Sequence, residues 1–358
     1  MKPIWAYLRK HPLSILLLAF PLAFFARVGG WGSGWVFVFS AVGVIPMAGY
    51  IGEATEVLAE LTGPKIGGLL NATLGNAAEL IITLVAIRAG LLELVKASIT
   101  GSILGNLLLV LGTAMVLGGV KNGVQHFDKK QASSHATLLT LAVLALVIPS
   151  VFSSSIGPVH SQGVEELSLG VAVVMIVLYG LGLFYSLKQP SNAITYPAVE
   201  HKTRGSTIWK AIMMLAAATL GVVILSEWLV GSVEAVVANT GLSEFFLGII
   251  LIPIVGNVAE HLVAVQVAIK NKMELSFEIA MSSSLQIALF VAPLLVFISL
   301  LMGNPLTLVF DSFELLALVG AVLTAVLVSI DGESNWLEGS ALLGVYLILG
   351  IGFFLLPG

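Results

Sequence analysis

Gly75-Asn76-Ala77-Ala78-Glu79 recurs as Gly256-Asn257-Val258-Ala259-Glu260, and each copy lies inside an apolar stretch. The repeat therefore puts a carboxylate twice at the depth of a membrane. An ionisable side chain at the centre of a spanning helix costs about 2.5–3.5 kcal/mol on insertion scales, so it needs a partner or a task. Two equivalent copies point to one shared site.

Composition supports this reading. Hydrophobic residues make up 58% of the 358 and charged residues only 10%, too few to clothe a soluble surface. The chain is read as an all-α, multi-pass integral membrane protein in a lipid bilayer. It contains no cysteine, which excludes disulfides, thiolate metal sites and cysteine nucleophiles. A formal charge of −4 gives no reason to expect a nucleic-acid partner.

Eleven runs are apolar enough to cross about 30 Å of hydrocarbon as helices: 13–28, 35–60, 66–87, 97–119, 134–152, 167–187, 208–230, 245–269, 275–301, 312–330 and 336–356. The first could be read as a signal peptide, because Lys2, Arg9 and Lys10 precede it. Phe24 and Phe25 make a poor cleavage site, however, so it is retained as a helix. With the N-terminus inside, thirteen of the 16 Lys and Arg residues fall on inner segments. Only Arg27, Arg88 and Lys96 fall outside. That imbalance supports an odd number of spans, with the N-terminus cytoplasmic and the C-terminus outside.

Under this topology the span holding Glu79 leaves the inner surface and the span holding Glu260 returns to it. The copies cross in opposite directions, as in an inverted-topology repeat built around a midplane site. The expected organisation is an N-terminal helix in 1–30, a five-helix repeat in 31–188, a cytoplasmic linker in 189–206 and a second five-helix repeat in 207–358. A shift of 181 residues aligns more of the halves: Leu61 with Leu242, Gly67 with Gly248, Glu93 with Glu274 and Ser102 with Ser283. Around Arg88 and Lys270 the register slips by one.

On a helix, residues three apart share a face. Asn76 with Glu79, and Asn257 with Glu260, thus each point an amide and a carboxylate the same way. These four are the expected coordinating set. The next span adds Ser98, Ser102 and Asn106 at intervals of four, and its counterpart offers Ser282, Ser283, Ser284 and Gln286. Every donor is a hard oxygen, which suits calcium; manganese accepts the same set. Gly75 and Gly256 would let a helix break or a neighbour approach closely. Ala97, Gly101 and Gly105 read as a helix-packing stripe. No Lys or Arg occupies the centre of a span, so two facing carboxylates need protons or a metal ion. His261, next to Glu260, is either a hydrogen-bonded core histidine or a proton relay.

Asp331, Glu333 and Glu338 do not fit an EF-hand, because Trp336 stands where a glycine is required. A solvated loop with an interfacial tryptophan is expected there. Hydrolase chemistry lacks a His-Glu-x-x-His motif and an activating base near the buried serines.

The motif pair, together with Gly101-Ser102-Ile103-Leu104-Gly105-Asn106, Ser283-Ser284-Leu285-Gln286 and Asp331-Gly332-Glu333-Ser334-Asn335-Trp336, resembles the cation/proton exchanger family, the calcium/proton antiporters of the wider calcium/cation antiporter group. The resemblance covers nearly the whole chain. It implies eleven helices, ten of them in two inverted halves, and exchange of calcium for protons by alternating access. It makes Glu79 and Glu260 the cation and proton carriers, with Asn76, Asn257, Ser102, Asn106, Ser283 and Gln286 around them. Glu56 and Glu227 look like the family's paired carboxylates along the access route. No cofactor is expected, since calcium is cargo. Sodium/calcium and manganese/proton exchange on the same fold are the alternatives. The linker lacks the acidic run found in many members, which argues against calcium regulation there. Short termini without a targeting segment favour a prokaryotic cell membrane, and self-association is left open.

Overall fold

The computed structural model describes residues 12–62, 64–159, 161–188 and 204–356. Lys2, Arg9, Lys10, His160 and most of the linker (189–203) lie outside the described residues.

The chain is built almost wholly of helices. A 3₁₀ turn, Pro12–Leu18, leads into α1 (Ala19–Val28), and a long α2 (Ser33–Thr62) follows. The first motif region forms two short helices, α3 (Pro64–Leu74) and α4 (Ala77–Arg88). Next, α5 (Leu92–Leu104) passes through a π-helical turn, Gly105–Val110, into α6 (Leu111–Asn122). Strand β1 (Gln125–His126), α7 (Lys129–Ile156) and α8 (Gln162–Lys188) complete this part.

The second part repeats the theme. α9 (Arg204–Val230) and α10 (Val233–Thr240) precede α11 (Glu244–Phe246), a π turn at Leu247–Leu251 and α12 (Ile252–Ile269), which carries the second motif. α13 (Met273–Gln286) passes through a π turn, Ile287–Val291, into α14 (Ala292–Met302); α15 (Ser312–Ser329), β2 (Glu333–Ser334) and α16 (Trp336–Leu355) close the chain. The π turns at 105–110 and 287–291 follow equivalent serines, Ser102 and Ser283, so the repeat extends to irregular backbone. Inserting one residue into the helical ladder re-aims the side chains that follow, and such turns cluster at functional sites.

Among the described residues, nine helices are long and apolar enough to cross a membrane. Two of the eleven expected spans fall short. The run 13–28 is a shorter apolar helix, and 66–87 is divided at Gly75–Asn76, where Asn76 adopts φ −102° and ψ 28°. The outer surface carries many exposed large apolar side chains, Leu301, Ile348 and Leu355 among them. Lipid is the solvent in which such a surface is stable.

Contacts between helix ends establish how the motif helices run. At one end, Arg88 meets Glu227, the Leu94 N–H donates to Glu244 and Asn304 donates to the Ile87 carbonyl. At the other, Gln125 donates to the Ala268 carbonyl and to Asn271, while β1 pairs antiparallel with β2, Gln125 opposite Ser334. α4 finishes at the first end. α12 starts from that end and finishes at the second. The two motif helices are antiparallel, as an inverted repeat requires.

Close approaches fall where the chain has no side chain to interfere. α2 packs along α9 with Leu225 against Gly43 and Met47 against Gly221. Gly101 of α5 lies directly on the Ile249 carbonyl, and Gly248 sits against Ala97, so two of the three residues of the expected packing stripe make close helix contacts, whereas Gly105 meets only the His261 ring. The loop before α16 is structural: Asn335 and Glu338 form a capping box, and Trp336 is exposed.

Candidate cation site

The two motifs reach the centre by different routes. In the first, the chain turns at Gly75–Asn76 and α4 starts afresh, placing Glu79 in its first turn. A helix N-terminus presents unpaired N–H groups, so this start carries partial positive charge near the carboxylate. In the second, α12 runs unbroken through Gly256 and Asn257. Gly256 serves close approach instead: a Cβ there would lie 3.2 Å from Cγ of Glu79. The two uses expected of the glycines are thus divided between them.

The sequence-expected polar residues converge. Asn76 donates through Nδ2 to Oε1 of Gln286 at 2.7 Å, and Asn106 donates through Nδ2 to the Ser283 hydroxyl at 3.0 Å. That hydroxyl lies 3.2 Å from both Oδ1 of Asn76 and Oε2 of Glu260. It has one proton, so it donates to one of them at a time. Ser283 therefore joins two residues of the first half to the carboxylate of the second. Across from this junction, Asn257 donates to the Pro253 carbonyl at 3.1 Å and makes a long 3.5 Å contact with Ser102.

Asn76, Glu79, Ser102, Asn106, Asn257 and Ser283 are all buried; Glu260, His261 and Gln286 are half-buried. Oε1 of Glu79 and Nε2 of His261 are buried with no hydrogen-bond partner among the described residues. A buried carboxylate oxygen without a donor is costly, and a proton or a cation removes the cost. His261 faces the Gly105 backbone, where a Cβ would sit 4.0 Å from its Cε1. Among the described residues no three His, Asp or Glu side chains gather into a metal cage, so a cation held here would rely on amide, hydroxyl and carbonyl oxygens as well.

Neither Glu56 nor Glu227 takes part in the hydrogen bonds of this junction. Glu56 is exposed on the later part of α2, whereas Glu227 is ion-paired with Arg88 at 2.6 Å. Sequence reasoning passes over Thr83, whose hydroxyl donates to the Glu79 carbonyl at 2.7 Å. It also misplaces Lys96. Assigned to an outer loop, Lys96 is buried in α5, pairs with Glu93 at 2.6 Å and donates to the Val309 carbonyl; one turn on, Thr100 meets the buried Glu314. Its stem is apolar and its charge is satisfied locally, which lets a lysine sit inside a helix end.

Comparison with known proteins agrees with this architecture. The family model described as sodium/calcium exchanger protein matches residues 32–188 and 210–355. A Ca(2+)/H(+) antiporter of Aphanothece halophytica is 43% identical over 357 residues, covering 96% of each chain. The Ca(2+)/H(+) antiporter ChaA of Bacillus subtilis (strain 168) is 45% identical over 343 residues, covering 94% of this chain and 96% of its own. The solved structure of native YfkE is similar with a TM-score of 0.85 at 42% identity, covering 96% of this chain and 100% of that one. With an all-helical exchanger fold and both motif helices in place, this integral membrane protein belongs to the sodium/calcium exchanger protein family, among its calcium/proton antiporters.

Proposed function

We propose that this chain is a secondary antiporter that moves calcium across a membrane in return for protons, using Glu79 and Glu260 as a shared site reached alternately from each side. The halves are 31–188 and 207–358, joined by 189–206, with 1–30 standing outside the repeat. The relatives named above are calcium/proton antiporters, which supports the choice of ions.

The observation that carries the reading is the Ser283 junction, in which one hydroxyl lies at equal distance from Asn76 of one half and Glu260 of the other. An ion held between halves is coupled to their relative motion, because moving either half changes its oxygen shell. Charge then sets the exchange. Two glutamates carry −2, which one divalent cation or two protons balance, and either balanced state avoids carrying net charge through a low-dielectric interior. Asn76, Asn257, Ser102, Asn106 and Gln286 supply neutral oxygens, and His261 can accept one further proton. Glu56 and Glu227 guide cations to and from the site.

The test is calcium uptake into vesicles driven by an imposed pH gradient with sodium absent. Uptake that follows the pH gradient supports the reading; uptake that needs a sodium gradient supports sodium/calcium exchange instead. A manganese arm resolves the cation. Orientation is tested by single cysteines: labels at Ser154 and Gly241 react from outside and one at Thr203 from inside. Ser154 and Gly241 on opposite sides would overturn the two-half arrangement.

A further inference from the structure

The shift of 181 residues sets Ala97, Gly101 and Gly105 of α5 against Glu278, Ser282 and Gln286 of α13. In both helices the three positions lie four apart and share a face. On α5 that face is small and covered: Gly101 lies on the Ile249 carbonyl and Ala97 meets Gly248. On α13 it carries a carboxylate, a hydroxyl and an amide, and all three residues are half-buried. The segment that would cover this face packs elsewhere. Gly67 of α3, the counterpart of Gly248, rests on the backbone of Ala59 in α2.

The polar stripe has defined ends. Glu278 stands in the second turn of α13, near the end where Gln125 donates to Ala268 and Asn271. Gln131 of α7 donates to Oε2 of Glu278 at 2.5 Å, Ser282 donates to Oε1 at 3.1 Å, and Nδ1 of His135 lies 3.6 Å from Oε2. No Lys or Arg is within ion-pair distance of Glu278 among the described residues. Gln286, about 12 Å further along the helix, accepts from Asn76 in the central junction. Beside it Gly75 is exposed, with the position of a Cβ 3.5 Å from Oε1 of Gln286. At membrane depth, a carboxylate, a hydroxyl and an amide with uncovered surface are costly against lipid and stable against water.

We propose that this face of α13 is the wall of a water-filled passage between the second end and the central site, with Glu278 as the carboxylate that draws cations into it. This rests on the transport reading above and adds to it a residue that neither motif contains. Glu278 has no acidic counterpart, because Ala97 occupies the equivalent position, so this attraction acts on one side of the membrane only. A cation moving along the stripe meets a carboxylate, a hydroxyl and an amide oxygen at intervals of one helical turn. Glu278 does not hold the ion at the centre. Its charge raises the cation concentration in the cleft that leads there.

The cysteine-free chain allows a direct reading. Ser282→Cys and a control, Ser284→Cys, whose parent serine is 0% exposed, are treated in oriented membranes with small impermeant methanethiosulfonates of opposite charge. Ser282→Cys should react from one side only and Ser284→Cys from neither. Relative to their rates with a free thiol in solution, the cationic reagent should outpace the anionic one at Ser282→Cys by about five- to tenfold. Glu278→Gln should bring that ratio close to one, while Glu278→Asp, which keeps the charge, should preserve it. In calcium exchange, Glu278→Gln should raise KM roughly two- to fivefold with the maximal rate retained. A purely structural carboxylate would leave the reagent ratio unmoved. No reaction at Ser282→Cys, equal rates for the two reagents, a ratio that survives Glu278→Gln, or an unaltered KM would overturn the proposal. The first two outcomes need no change at Glu278, so they stand even if that variant does not fold. Reagent access requires no transport, so it is read separately from failure of the calcium/proton reading, which the pH-gradient assay decides.

Discussion

The segment 75–88 and its repeat, 256–269, begin with nearly the same five residues and end in different states. In the first, the chain breaks, a new helix starts and Glu79 is 4% exposed. In the second, the helix is continuous, its glycine admits Glu79 as a neighbour, and Glu260 is half-buried. Identical polar chemistry has been placed around one buried and one half-buried carboxylate. Inverted repeats give a reason. Under the alternating access proposed above, the two copies exchange roles between states, and a single conformation then shows them unequal.

Replacing the carboxylates tests whether this inequality matters to the ion. Glu79→Gln and Glu260→Gln keep shape and remove charge. Since removing one partner of a buried charged set costs about 3–5 kcal/mol, each should lower calcium exchange by about 10²-fold or more. Vesicle flux with purified, folded variants checks this. A large loss at Glu79 alone would make the site the property of one half.

Acidity probes both acids together. Protonation competes with the cation, so calcium binding should weaken as pH falls, by about tenfold per pH unit if one proton is displaced and about a hundredfold if two are. Binding measured between pH 5 and 8 reads the slope. A flat profile would remove proton competition. If His261 carries a third proton, flux becomes voltage-dependent; if it does not, exchange of two protons for one calcium is electroneutral.

The next effect is on stability. Gly101 in the first half lies against the Ile249 carbonyl, whereas the residue 181 positions on is Ser282, which donates to Glu278 at 3.1 Å. Gly101→Ala should cost about 1–3 kcal/mol through overpacking, read as a lowered thermal midpoint in detergent. A neutral result would mean that α5 can move away from α12 freely.

The smallest expected difference separates two serines. Ser283→Ala removes the junction and leaves Asn106 without its acceptor, for a loss of about 1–2 kcal/mol in apparent calcium affinity. Ser102 makes only the 3.5 Å contact with Asn257, and Ser102→Ala should cost about 0.5 kcal/mol. Equal effects would show that the halves contribute alike despite their geometry.

Much of the site can be read in residue order. Every oxygen-bearing residue of the junction belongs to a repeated motif or to the polar stripe that follows it, because a polar group at membrane depth is conspicuous. Thr83, Lys96 and Arg88 are different. Thr83 acts on a backbone carbonyl of its own helix, Lys96 sits where a span end blurs into a loop, and Arg88 gains meaning only from Glu227, 139 residues away.

Residue order alone was sufficient for the membrane class, the internal repeat and the acids at its centre, because hydrophobic length and the cost of buried charge leave few alternatives. It could not say that Gly75 breaks a helix while Gly256 makes room for a neighbour, or that Glu79 is covered more fully than Glu260. Those outcomes depend on which surfaces meet, and nearly equivalent sequences settle into unequal halves because tertiary packing, not residue order, decides how far each carboxylate is enclosed.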